Sequence, residues 1–284
     1  MYIKMNIRKL LLLCLTVAVL ASCSKDDDDL DVPLPDLGGE TWAEGPTDTW
    51  LYQNFVLPYN IEVKYRFDRY EVALNKVLAP VREDKVIPVM EAIKQTWIDP
   101  YSQVAGEDFI KRLSPKQFVL VGSAEYNTDG TIVLGTAEGG RKIVLFVIND
   151  FEKKNKPEVK QMLHTIHHEF GHILHQTIMY PEEYKTITPD YTATWYLYSL
   201  EDARSRGFIT EYARSKPDDD FVEMIAVMLI EGKAGFDTIV ETTPAAAQPL
   251  LRQKEQIVVR YFKEAWNIDF YTLQARAQAA INAL

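Results

Sequence analysis

The chain has 284 residues, a quarter of them charged, and a formal net charge of −10. So acidic a balance argues against nucleic acid as a partner, because binding it needs a basic face. The length allows one large domain with a well-covered core, or two small ones.

Residues 1–22 place Lys4, Arg8 and Lys9 ahead of an apolar run from Leu10 to Leu20, the layout of a secretory signal that is too short for an ordinary membrane span. The run ends in "LASC", Leu20 to Cys23, which resembles a bacterial lipobox; that resemblance implies cleavage before Cys23 and lipidation of its thiol. A plain secretory signal with an unpaired cysteine is the other reading. Cleavage there leaves 262 residues and a charge of −13, and removes Cys14 with the signal. No thiol then remains for a disulfide or a zinc-thiolate site, so any metal must take nitrogen and oxygen ligands.

Residues 23–49 carry "SKDDDD", Pro33, Pro35 and the pair Gly38–Gly39, a composition that cannot bury apolar surface and reads as a solvated tether. An acidic stretch behind a lipidated cysteine resembles the surface-export signal of Bacteroidetes lipoproteins. That implies an outer-membrane lipoprotein exposed at the cell surface; a mere spacer is the alternative. Residues 50–284 show no internal repeat and no second linker, and are expected to form one domain.

From Trp50 to Asp68 the chain is aromatic-rich and ends in alternation, with Ile61, Val63, Tyr65 and Phe67 set against Glu62, Lys64 and Arg66; period two predicts a strand with one buried face. Helical spacing of Val86, Val89, Met90, Ile93 and Trp97 predicts a helix over 83–98, with Pro88 tolerable only near its start. Three β-branched runs follow, at 116–123, 131–136 and 141–150, punctuated by Asp129–Gly130 and Gly139–Gly140. They predict strands joined by tight turns.

All five histidines of the chain lie between His164 and His175, in "HTIHHEFGHILH". Pro157 suits a first helical turn, and Val159, Met162, Leu163, Ile166, Phe170, Ile173 and Leu174 recur at helical intervals. On that helix His168 and His172 of an H-E-x-x-H motif fall one turn apart on one face, where both imidazoles reach a single tetrahedral ion. Glu169 sits between them, placed to act as general base on water that the ion activates. His164 and His175 are displaced along the axis and His167 projects from the flank, so packing or hydrogen bonding behind the ligands is the expectation for these three.

Two histidines do not close a site. The metzincin pattern H-E-x-x-H-x-x-G-x-x-H fails, because His175 stands at its glycine and Ile178 at its last histidine. The third ligand therefore comes from further along the chain; resemblance to the gluzincins implies a carboxylate on a second helix, often with another acid four residues on that hydrogen-bonds a metal histidine. The segment from Phe208 to Leu229 offers this: Phe221, Met224, Ile225, Met228 and Leu229 form an apolar stripe, and Asp219 and Glu223 are four apart on one face. The acids at 218–220 also suit a first helical turn, whereas Glu223 among apolar neighbours asks for a cation or a donor.

Tyr212, six residues, Asp219, three residues and Glu223 resemble the second half of the site in lethal-factor-type zinc peptidases, where the pattern is tyrosine, six residues, then glutamate. The resemblance implies zinc bound by His168, His172 and Asp219, Glu169 as base, Glu223 hydrogen-bonded behind the ligands, and Tyr212 as oxyanion donor. Aspartate stands where that pattern has glutamate, which leaves Glu223 as the rival ligand. With its lipobox, acidic tether, "HHEFGHILHQ" and "PDDDFVEMIA", the chain also resembles the zinc metallohydrolase lipoproteins associated with Bacteroidetes starch-utilisation-type import systems.

The C-terminal residues predict two helices broken at Asn267, Ile268 and Asp269, with Ile257, Val258, Tyr261, Phe262 and Trp266 on one face of the first. Altogether an α+β, zincin-like fold is expected: a mainly antiparallel sheet, the histidine helix, the carboxylate helix and a helical C-terminal cap. A strand at 131–136 or 141–150 would border the cleft and accept an extended peptide. The expected activity is zinc-dependent cleavage of peptides or glycopeptides at the cell surface, with import-system components as partners. The rival is a binding lipoprotein whose metal is structural or vestigial; the intact Glu169 favours the enzyme, because a structural site has no use for a base.

Overall fold

The computed structural model describes residues 42–284 apart from residues 74, 128–131, 134 and 139–140. The expected signal peptide, Cys23, the tether up to residue 41 and both glycine turns lie outside the described residues. Helix α1 begins at Pro46–Leu51 and continues through the π-wound Tyr52–Val56 to Leu57–Tyr59. The aromatic-rich residues ahead of the alternation are therefore helical. Left-handed Asn60 ends that helix, and only Glu62–Lys64 forms β1, where Ile61, Val63 and Tyr65 are buried as the alternation predicts while Phe67 is exposed. Next come α2 (Glu83–Ile93), a π-wound turn at Lys94–Ile98, α3 (Asp99–Ala105) and α4 (Glu107–Leu113). Pro88 lies inside α2, where the carbonyl it leaves unpaired belongs to the first turn.

Strands β2 (Gln117–Leu120), β3 (Glu125–Tyr126), β4 (Ile132–Val133), β5 (Gly135–Glu138) and β6 (Lys142–Leu145) follow. β3 and β4 pair as a separate antiparallel ribbon, and the main sheet has the order β1-β2-β6-β5. β1 runs parallel to β2 and β2 parallel to β6, in the register Phe118↔Ile143 and Leu120↔Leu145; only β5 is antiparallel. The expectation of a mainly antiparallel sheet is thus corrected. β2 leaves the sheet for the β3–β4 ribbon and acquires β6, a strand it is not adjacent to in sequence, as its parallel neighbour. Burial follows from that topology: Phe118, Leu120, Ile143 and Leu145 face the main core, while Val119, Val121, Val144 and Phe146 form a second cluster on the other face. β6 is paired on both sides, so of the two candidate edges only β5 is one. The run 141–150 stops being a strand because Val147 takes a left-handed conformation (φ 64°) and turns the chain into a 3-10 turn at Ile148–Asp150.

The histidine helix α5 (Lys156–Thr177) packs beneath the sheet, its Phe170 ring edge-on to Trp97 at 5.3 Å and Tyr101 at 5.1 Å. After α6 (Leu200–Ser205) comes α7 (Pro217–Thr242), which Gly232 kinks (φ 69°). A side chain at Gly232 would strike Gln278, and the carbonyls freed by the kink are taken by Gln274, which donates to Met228 O, and Gln278, which donates to Leu229 O and Ile230 O. Both glutamines belong to α9 (Phe270–Ala283), which follows α8 (Gln248–Trp266) across the expected break, with left-handed Asn267 closing one helix and Asp269 capping the next.

Lys254 of α8 is fully buried, pairs with Asp220 at 2.6 Å and donates to Gly207 O; Asp220 also accepts from the Tyr191 hydroxyl. This pair pins the first turn of α7. Asp220→Asn strands a buried ammonium and should cost about 3–5 kcal/mol. Asp220→Asn/Lys254→Met should recover at least half of the loss in urea denaturation; equal stabilities for single and double variants would refute the pairing.

Candidate metal centre

Gly171, inside H-E-x-x-H, lets α5 meet α7: a Cβ there would lie 2.9 Å from Val222 Cγ1. A glycine in a helix interior costs about 1 kcal/mol relative to alanine, which is the signal that could have singled it out in the sequence. The contact sets Asp219 and Glu223, one turn apart on α7, opposite the histidines. Among the described residues two groups of three ligand atoms converge, His168, His172 and Asp219, and His164, His168 and Glu223.

Hydrogen bonds distinguish the two groups. Glu223 Oε1 accepts from His168 Nδ1 and from His164 Nε2, each at 2.7 Å, and Glu223 Oε2 accepts from the Thr210 hydroxyl at 2.6 Å. Burial opposes the charge on Glu223, but His164 and His168 outweigh it and hold the carboxyl well below the ordinary range. With its Nδ1 proton so committed, His168 turns an Nε2 lone pair inward. His172 is arranged the same way through a different partner: its Nδ1 donates to Nε2 of His175 at 2.9 Å. Burial pushes His175 down to about 4, so it is neutral near pH 7 and accepts that proton.

The two inward nitrogens, His168 Nε2 and His172 Nε2, lie 3.2 Å apart, and Asp219 Oδ1 is 3.3 Å from His172 Nε2. Two lone pairs and a carboxylate oxygen converging in this way call for a cation between them. Zinc bonds of about 2.0–2.1 Å give a tetrahedral edge of about 3.3–3.4 Å, and the observed separations fit it. The other oxygen of Asp219 accepts from the Ser215 hydroxyl. Burial alone would raise Asp219, yet its contacts with His172 and the Ser215 hydroxyl bring it below the ordinary range.

Glu169 is half-buried beside both histidines; burial raises its carboxyl against their pull. Tyr212 stands on a 3-10 turn, Tyr212–Arg214, with its ring 5.6 Å from that of His168 and its hydroxyl beside Asp219. Burial, then the nearby carboxylates, push its pKa up, so the hydroxyl keeps its proton. Thr210 ties this turn to Glu223, since its hydroxyl also accepts from the Ala213 N–H at 3.1 Å. Thr210 and Ser215 carry no sequence signature of a metal site, and only the fold brings them to it. His164 and His175 bond behind the two inward-facing histidines. His167 does not: it is buried against Tyr101, with no partner for either ring nitrogen among the described residues.

The family described as putative zinc-binding metallo-peptidase matches residues 40–271. A crystal structure of a putative zinc-binding metallo-peptidase from Bacteroides caccae is similar, with a TM-score of 0.73 and 33% identity, over 83% of this chain and 91% of that one. No curated protein matches the chain.

Burial pushes His167 down to about 3 from an ordinary 6.5. Between those values the unfolded chain binds the proton and the folded one does not, so His167 costs no stability above about pH 6.5 and up to about 1.4 kcal/mol per pH unit below it. His167→Phe should therefore flatten the acid dependence of metal-free stability between pH 6 and 4, measured by urea denaturation. An unchanged slope would show that the imidazole is protonated in the fold.

Proposed function

Because the chain belongs to this family of zinc-binding metallo-peptidases, we propose that it is a peptidase of the gluzincin, H-E-x-x-H type. In this reading His168, His172 and Asp219 hold the zinc, Glu169 is the general base and Tyr212 the oxyanion donor. The observation that carries it is the convergence of His168, His172 and Asp219, with His172 Nε2 at tetrahedral-edge distance from the other two ligand atoms and Glu169 and Tyr212 beside them. Zinc, when bound, polarises the scissile carbonyl and acidifies water so that it attacks near neutral pH.

The side chains do the rest. Glu169 takes the proton of the attacking water and passes it to the leaving amine, a task suited to a carboxyl raised by burial. Tyr212, held neutral, donates its proton in a hydrogen bond to the oxygen that becomes negative. Glu223 orients His168, and His175 orients His172. β5, the antiparallel edge, lies directly over α5, since a Cβ on Gly135 would meet Thr165 Cγ2. An extended substrate adds to that edge through main-chain hydrogen bonds.

The substrates in this proposal are peptides or glycopeptides. The protein acts at the outer-membrane surface, tethered through lipidated Cys23 and working alongside import-system components. The lipobox and the acidic tether support this part, and labelled palmitate should enter the native chain and not Cys23→Ala.

Glu169→Gln should keep its zinc and lose about 10²–10⁴-fold in peptide cleavage. Glu223→Gln should weaken zinc binding by about 10–100-fold, and Asp219→Ala should weaken it more. Competition with a chromophoric chelator reads both affinities. The ligand assignment falls if Glu223→Gln loses more zinc than Asp219→Ala, and the peptidase reading falls if the zinc-loaded native chain cuts no member of a peptide library.

A further inference from the structure

A line of aromatic rings leads from the metal centre to solvent. The Tyr212 ring, 5.6 Å from that of His168, meets Trp195 at 4.9 Å, and Trp195 meets Tyr196 at 5.9 Å. Trp195 is half-buried and opens a 3-10 turn, Trp195–Leu197, within which Tyr196 is 54% and Leu197 72% exposed. Large apolar side chains displayed together beside a reactive centre mark an interaction surface.

Charge says what kind. A quarter of the chain is charged, yet the ten residues from Tyr191 to Leu200 carry no charge at all. Asp190, just before this stretch, is engaged by Arg206 and Arg214, and Arg214 also pairs with Asp202 at 2.6 Å, while Glu201 just after it is exposed to solvent. The buried Arg214 guanidinium lies 4.2 Å from the centre of the Tyr198 ring, and its carbonyl accepts from the Thr192 N–H, so the loop is held at both ends. A surface that is apolar, uncharged, rigidly held and continuous with the metal centre is complementary to a large uncharged side chain.

We propose that the loop Trp195–Tyr198 is a substrate subsite that takes a bulky apolar side chain, aromatic or large aliphatic, of a peptide near the bond to be cut. This deepens the peptidase reading and rests on it. Trp195 supports the Tyr212 ring from behind, while Tyr196 and Leu197 cover the incoming side chain and exclude water from it. Burying such a side chain is worth about tenfold or more in binding.

The test reads binding with cleavage switched off. Zinc-loaded Glu169→Gln protein is equilibrated with an immobilised library of random hexapeptides, and with the same library bearing a sugar on threonine. Captured unmodified peptides should be enriched about tenfold in Phe, Tyr, Trp, Leu or Ile at one position. Tyr196→Ser/Leu197→Asp in the same background should abolish that enrichment with zinc content unchanged; both positions are exposed, so the fold tolerates them. Equal enrichment with and without the double substitution, enrichment in charged residues, or preferential capture of the sugar-bearing peptides would each overturn the proposal. Restoring Glu169 separates the two claims: enriched capture without cleavage keeps the subsite and discards the peptidase, whereas cleavage without apolar preference does the reverse.

Discussion

The close approach of α5 and α7 at Gly171 and Val222 is the constraint on which the site depends. Helix axes ordinarily pack 8–10 Å apart, at a distance set by the side chains between them. With no side chain at Gly171, Val222 seats directly against the histidine helix, and the residues flanking Val222 on the site-facing side of α7 come within reach. Asp219 has one methylene fewer than the glutamate of the pattern it resembles. Its oxygen still comes within 3.3 Å of His172 Nε2, a reach that a larger residue at position 171 would not permit.

That approach buries polar groups, and burial is costly unless each group is answered. Glu223 is answered by three donors from two parts of the chain: His164 and His168 of α5, and Thr210. His172 is answered by His175 and Asp219 by Ser215. Every one of these bonds also fixes a tautomer or a rotamer, so the network that makes burial tolerable orients the atoms of His168, His172 and Asp219 that face one another. What remains unanswered is the pair of inward nitrogens and the carboxylate oxygen between α5 and α7. Lys216, the nearest cation to Asp219, is 3.6 Å away and largely exposed, too solvated to replace an ion between them.

The C-terminal helices belong to the same design. Lys254 secures the first turn of α7 through Asp220, the neighbour of Asp219. Gln274 and Gln278 take up the carbonyls that the Gly232 kink releases at the far end of the same straight segment. The carboxylate helix is thereby held at both ends by residues far away in sequence. Of the aromatic residues on α8, Tyr261 and Phe262 are spent on this packing, which leaves the exposed aromatics near the centre to the loop around Trp195.

The sequence by itself determined whatever depends on spacing within one helix. His168 and His172 share a face because 100° per residue puts them there, and Asp219 and Glu223 share one for the same reason. The two C-terminal helices and their break at Asn267 were equally legible, because caps and periodicity are local signals. The sheet was not: strand runs announce themselves, but which strands become neighbours depends on the paths between them, and so a mainly antiparallel expectation met a largely parallel sheet. The aromatic run after Trp50 carried no period of its own, and only the structure shows it wound into α- and π-helical turns that bury Phe55. Only the tertiary structure decided which oxygen faces the histidine nitrogens and which lies behind them. That choice is made by the distance between two helices and by the donors Thr210, Ser215 and His175, and no local pattern encodes either.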